Sequence, residues 1–147
     1  MIILEEAQRR LVLIIIVCMD EKNGMIFNGR RQSQDQEVIK KMLEYAKGKP
    51  LWINDYSAQL FREDQQKQIK ITENFFDLDE DDICFIENIR LDRCHEKVKK
   101  VIVFRWERVY PADVYFNFKL DNFCLASTEI LKGSSHKEIL IETYERF

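Results

Sequence analysis

The run 11–18, LVLIIIVC, carries no polar side chain and is mostly β-branched. An unbroken apolar run of this length predicts a strand covered on both faces, as at the centre of an α/β sheet. The runs at 83–86 (ICFI) and 101–106 (VIVFRW) read the same way, and a short buried strand at 51–53 follows Pro50. Over 33–47 the period changes. Val38, Ile39, Met42, Leu43 and Ala46 fall on one face of a helix. Ser33 or Asp35 caps its start and Gly48 ends it. A second helix is expected at 57–68, a short strand at 69–72, a brief helical segment at 73–78 and a helix at 91–99. The segments 123–131 and 138–144 alternate around Gly133-Ser134-Ser135, which predicts an antiparallel hairpin.

Two Asn-Gly pairs, Asn23-Gly24 and Asn28-Gly29, make 19–31 a long structured loop. A polar-aromatic connection is expected at 113–116. Strands and helices alternate through the first two-thirds, which implies a mostly parallel sheet, and the terminal hairpin makes it mixed. The chain has no internal repeat and no Pro/Gly/Ser-rich linker. Its 147 residues therefore read as one domain over 11–147, preceded by a helical or frayed extension at 1–10.

Composition narrows the function. The chain is 46% hydrophobic and 12% aromatic, which is enough to build a core. Its formal net charge of −3 argues against bulk binding to nucleic acid, though not against a local basic pocket. The four cysteines, Cys18, Cys84, Cys94 and Cys124, form no CxxC pair and have no zinc-site spacing. They read as free thiols in a reducing compartment, so a cytoplasmic protein is expected. The first apolar run is too short to cross a bilayer, and no signal-peptide cleavage site follows it. No metal site, P-loop, Gly-x-Ser-x-Gly or intact dinucleotide fingerprint is present.

The order of these elements resembles the dihydrofolate reductase family from residue 11 to the C-terminus. The correspondence rests on the apolar first strand with its following loop, Asp35 at a helix start, and Gly48-Lys49-Pro50-Leu51-Trp52-Ile53. It continues through Ile83-Cys84-Phe85-Ile86-Glu87-Asn88, Ala112-Asp113-Val114-Tyr115-Phe116 and the terminal Glu142-Thr143-Tyr144-Glu145-Arg146. The resemblance implies an α/β fold with a mostly parallel central sheet, a C-terminal antiparallel hairpin and helices on both faces. It places Asp35 where the family has a catalytic carboxylate.

The same resemblance implies a lost cofactor. Where the family has a phosphate-binding arginine, this chain has Asp55, and Ser57 keeps a hydroxyl at the family's threonine position. Where the family has two glycines that let the backbone approach the cofactor, this chain has Glu87-Asn88. Only residues 62–82 separate Phe61 from Ile83, too few for the family's adenosine-binding lobe. No NADPH and no other cofactor is therefore expected.

A polar crevice remains at the carboxyl ends of the strands, where open α/β sheets bind ligands. Arg30, Arg31, Ser33, Asn54, Tyr56, Ser57, Glu87 and Asn88 are the candidate ligand-binding residues, suited to a small polar or nucleotide-like molecule. Asp35 and His136 are the candidate catalytic groups. His136 follows Ser134-Ser135 and titrates near neutrality. With Arg30 or Arg31 they would supply the base, acid and cation for metal-independent RNA cleavage, provided the fold brings them together. His95 lies on a charged stretch and reads as exposed. The acidic run at 79–82, including Asp79, Asp81 and Asp82, is a candidate surface for a protein partner. A binding protein, a non-redox enzyme and a diverged reductase are the three readings carried forward.

Overall fold

A computed structural model describes residues 13–78, 81–89 and 96–147. The strands are β1 (Leu13–Met19), β2 (Gly24–Phe27), β3 (Arg30–Arg31), β4 (Leu51–Ile53), β5 (Ile69–Ile71), β6 (Ile83–Phe85), β7 (Val98–Trp106), β8 (Val114–Tyr115), β9 (Phe123–Leu131) and β10 (Ile139–Arg146). The helices are α1 (Gln36–Ala46) and the single turn α2 (Asp55–Ala58). Two 3₁₀ segments, Glu63–Gln68 and Phe75–Asp77, complete the described elements.

Seven strands form one sheet in the order β5-β4-β6-β1-β7-β10-β9. The pairs from β5 to β7 are parallel, and β7/β10 and β10/β9 are antiparallel. β1 sits at the centre, with Ile15 between Cys84 and Val101. Its side chains feed both faces, as the apolar run requires. Ile16 joins Val38, Met42 and Phe104 under α1. Leu13, Ile15 and Val17 join Met25, Phe75 and Val103 on the other face. Each such buried aliphatic side chain contributes about 2 kcal/mol of transfer free energy.

α1 forms as its apolar stripe requires, burying Val38, Ile39, Met42 and Ala46. Of its two candidate caps the fold uses Asp35, whose side chain accepts from the amides of Glu37 and Val38. The helix stops where Lys47 and Gly48 adopt positive φ, 51° and 82°. No described helix is long and apolar enough to cross a membrane. Among the described residues Cys18 and Cys124 are free thiols.

Several local expectations change. The stretch 19–31 is not only loop: β2 and β3 form a hairpin with Phe27 opposite Arg30. Asn28 and Gly29 both take positive φ at its tip, the conformation that a two-residue hairpin turn demands. β8, within the expected connection at 113–116, pairs with β2 to complete a three-stranded second sheet. The expected helix at 57–68 breaks after one turn. Leu60 and Phe61 are buried, Arg62 is extended, and the chain resumes as a 3₁₀ segment. Of the expected helix at 91–99, residues 91–95 lie outside the described residues. Val98 and Lys99 belong to β7, because Val98 is buried and paired to Leu13. The extension at 1–10, His95, Cys94 and Asp79 also lie outside the described residues.

Candidate functional site

The crevice lies at the carboxyl ends of β1, β4, β6 and β7. On its β4–β6 side, Glu87 follows β6 and is 7% exposed. Its carboxylate receives Arg31 bidentately, with Nε to Oε2 at 2.8 Å and Nη2 to Oε1 at 3.1 Å. Ser57 Oγ donates to Oε1 at 2.7 Å. Arg31 Nη2 also donates to the Tyr56 carbonyl, and the guanidinium lies 4.6 Å from the centre of the Tyr56 ring. Burial opposes the charge of Arg31, but the Glu87 bonds outweigh it and hold its pKa above the usual value. The Asn28-Gly29 turn fixes this geometry from the far side, since Tyr56 donates its hydroxyl to Gly29 O at 2.9 Å. Asn54 caps α2 through Ser57 N and donates to Asn88 Oδ1 at 2.9 Å. At the α2 start, the Asp55 amide donates to the Glu73 carboxylate at 3.0 Å.

On the α1 side, Asp35 is 2% exposed and both its oxygens are used. Oδ1 caps α1, while Oδ2 accepts from Ser135 N at 2.7 Å and Ser135 Oγ at 2.8 Å. Burial pushes its pKa up, but bonds from Ser134, Ser135 and Val38 outweigh this and hold it at about 2. Asp35 is therefore ionised at neutral pH and clamps α1 to the β9–β10 loop. Gly133 makes the close approach possible, because a Cβ there would stand 2.5 Å from Asp35 Oδ2.

From Asp35 a chain of side chains runs outward. Ser135 Oγ lies 2.8 Å from His136 Nδ1 and 2.6 Å from Ser33 Oγ. His136 Nε2 lies 2.7 Å from Tyr110 Oη. The proton count fixes the directions. Ser135 gives its one hydroxyl proton to Asp35, so His136 Nδ1 must donate to Ser135 Oγ. Neutral His136 then accepts at Nε2 from the Tyr110 hydroxyl. The imidazole stacks on Trp106 with centroids 4.7 Å apart. Burial lowers its pKa, with Asp35 opposing and Arg108 reinforcing the shift.

Tyr110 is positioned by Asp20, which is 1% exposed. Asp20 Oδ2 accepts from Tyr110 N at 2.9 Å and from Gln32 Nε2 at 3.0 Å. Burial raises the Asp20 pKa, and the amides of Tyr110, Gly24 and Lys22 with the Gln32 side chain more than reverse it.

Between the two sides, Cys18, Arg31, Gln32, Asp35, Phe85 and Trp106 help line a cavity of about 20 Å³, room for one water. Burial, then Glu87 and Asp35, push the Cys18 thiol well up, with Arg31 opposing. Outside it lies an open crevice of about 350 Å³ lined by Phe27, Asn28, Arg30, Arg31, Tyr110 and Pro111. A neighbouring one is lined by Arg108, Ser135, His136 and Lys137.

The expected residues thus divide into two groups. Arg31, Asn54, Tyr56, Ser57, Glu87 and Asn88 come together, bonded to one another. Asp35, Ser33 and His136 come together through Ser135. Arg30 is exposed at the outer crevice, and Arg31 is not equivalent to it. Sequence reasoning missed Tyr110 and Asp20. Both lie at or beyond the carboxyl end of a central strand, and that position was the available signal.

No family model and no curated protein matches this chain. Among solved structures, dihydrofolate reductase from Enterococcus faecalis complexed with NADP(H) and RAB-propyl is similar to it, with a TM-score of 0.66. The match covers 93% of this chain and 97% of that one at 11% identity. The fold is a dihydrofolate reductase-like α/β fold with a mixed central sheet.

Proposed function

We propose that this chain is a non-redox protein on a dihydrofolate reductase-like fold. It has lost NADPH binding and takes a small, anionic, nucleotide-like ligand in the crevice beside Arg30. The observation that carries the reading is the Arg31–Glu87–Ser57 network. It fills, with protein side chains, the ground that the family resemblance gives to the cofactor. Arg31 and Glu87 are spent on each other, so no free guanidinium meets a pyrophosphate there, and the Asp55 amide, which would face a phosphate, is already bonded to Glu73. The inner cavity of about 20 Å³ is too small for a pterin ring. The outer crevice instead offers a guanidinium from Arg30, together with the aromatic rings of Phe27 and Tyr110. A cation beside flat apolar surfaces suits a phosphate joined to a base.

Titration with NADPH, followed by energy transfer from Trp52 and Trp106 to the nicotinamide, is expected to give no saturable signal at 100 µM, on the order of a hundred times an ordinary micromolar dissociation constant. Calorimetry with nucleoside monophosphates is expected to give binding that Arg30→Ala weakens about fivefold or more. Micromolar NADPH binding, or nucleotide binding indifferent to Arg30→Ala, overturns the proposal.

A further inference from the structure

The chain Tyr110–His136–Ser135–Asp35 has the form of a proton relay, and its outer end belongs to the crevice assigned above to a nucleotide-like ligand. We infer that this relay is an acid–base site for cleaving a ribonucleotide phosphodiester, with Tyr110 as the catalytic residue. The inference rests on the ligand reading just given and adds a reaction to it.

The geometry carries it. Three separate segments bring the chain together: Asp35 at the start of α1, Tyr110 beyond β7, and Ser135-His136 between β9 and β10. The side-chain contacts from Asp35 to Tyr110 lie at 2.7–2.8 Å. Every donor in the chain points inward toward the Asp35 carboxylate. When His136 gains a proton at Nε2, Nδ1 still donates to Ser135 and Ser135 still donates to Asp35. The inner half needs no reorganisation, which is the condition for stabilising a charge as it forms. A relay serving only to brace the β9–β10 loop would be complete at Asp35 and Ser135. Here it continues through His136 to Tyr110, which lines the same crevice as Arg30 and Phe27.

The step balances as follows. The ribose 2′-hydroxyl gives its proton to Tyr110 Oη as Tyr110 passes its own proton to His136 Nε2. The 2′-oxygen forms a bond to phosphorus, and the bond from phosphorus to the 5′-oxygen breaks. The leaving 5′-oxygen takes a proton, returned from His136 through Tyr110 or supplied by water. The products are a 2′,3′-cyclic phosphate and a 5′-hydroxyl, and no atom or electron is gained or lost. Arg30 faces the phosphate. Because the nucleophile belongs to the substrate, proximity supplies much of the rate. Ser135 and Asp35 are positioning residues that act through His136.

The groups that face His136 set its titration. Trp106 stacks on it, Tyr110 and Ser135 bond to it, Asp35 favours its charge and Arg108 disfavours it. Lys137, Glu107 and Glu138 line the outer side.

The test uses the full chain, a fluorescent single-stranded RNA and its 2′-O-methyl counterpart, all in EDTA. Anisotropy with the 2′-O-methyl strand reads binding, and gel analysis of the RNA reads cleavage. Tyr110→Phe and His136→Ala, purified alongside, are expected to bind the 2′-O-methyl strand within about threefold of wild type. Both are expected to cut RNA about 100-fold more slowly or worse. The wild-type rate is expected to rise with pH through a midpoint below the ordinary histidine value of about 6.5, and Asp35→Asn to move that midpoint down. Binding without cleavage overturns the relay and leaves the ligand reading standing. Neither binding nor cleavage overturns both. Cleavage unchanged in Tyr110→Phe overturns the assignment.

Discussion

Arg31 Nε and Glu87 Oε2 stand 2.8 Å apart at the carboxyl ends of the central strands, with their side chains 12% and 8% exposed. One comes from the β2–β3 hairpin and the other from the end of β6, so the pair ties the small sheet to the large one. Removing one partner leaves the other charge buried. Glu87→Ala is expected to cost about 3 kcal/mol, since it strands Arg31 and Ser57 together. The double replacement Arg31→Met, Glu87→Leu is expected to lie within about 1 kcal/mol of wild type, because no charge remains to desolvate. Urea denaturation of wild type and the two variants checks both values. Equal losses in the single and double variants would show the pair to be uncoupled.

Asp35 gives the clearest pH dependence. Its folded pKa of about 2 lies below the ordinary 3.8. A depressed carboxyl stabilises the fold above the unfolded pKa and loses that contribution as pH falls through the folded one. The gap corresponds to about 2 kcal/mol, present at pH 5 and fading between about pH 4 and pH 2. Asp35→Asn removes the titration. The stability difference between wild type and Asp35→Asn, from urea curves at pH 6, 4, 3 and 2.5, is therefore expected to narrow toward low pH. A constant difference would mean that the carboxyl is not charged in the clamp.

What the sequence revealed follows the range of each interaction. The apolar runs marked β1, β6 and β7 because a strand buried on both faces needs no partner to be recognised. Asp35 was legible as a cap because its bonds to Glu37 and Val38 are local. Its bonds to Ser135, one hundred residues away, were not. Arg31 and Glu87 were both singled out, yet as two free ligand groups. That they neutralise each other depends on a contact across 56 positions. Asn28-Gly29 announced a turn, but the small sheet around it also needs β3 and β8, which carry no pattern of their own in two residues each. The helix at 57–68 failed because burial of Leu60 and Phe61 overrode helix propensity.

Gly133 tests the clamp sterically. A Cβ there would lie 2.5 Å from Asp35 Oδ2, His136 O and Ile139 Cδ1 at once. Gly133→Ala is expected to cost about 2 kcal/mol and to lower the melting temperature by several degrees. Gly29→Ala is the comparison: its φ is +74° but nothing lies within 4 Å, so conformation alone costs about 1 kcal/mol. Thermal unfolding separates the two. Only Gly133→Ala is expected to shift the His136 ring resonances, since only it presses on the loop that carries them.

The thiols report whether the inner cavity is closed. Cys124 lies exposed on the edge strand β9, whereas Cys18 lines the cavity and its thiol is pushed up by burial and by Glu87 and Asp35. Attack needs both a thiolate and access, and Cys18 is short of each. Iodoacetamide at pH 8, with peptide mass analysis over time, is expected to modify Cys124 about tenfold faster than Cys18 or more. Cys84, buried within the sheet, is expected to be as slow as Cys18. Modification of Cys18 as fast as Cys124 would mean that the segment holding Gln32 and Ser33 opens in solution. The inner cavity would then admit a ligand larger than water. A protected Cys18 is the outcome expected if the proposed ligand binds only at the outer crevice, beside Arg30 and Tyr110.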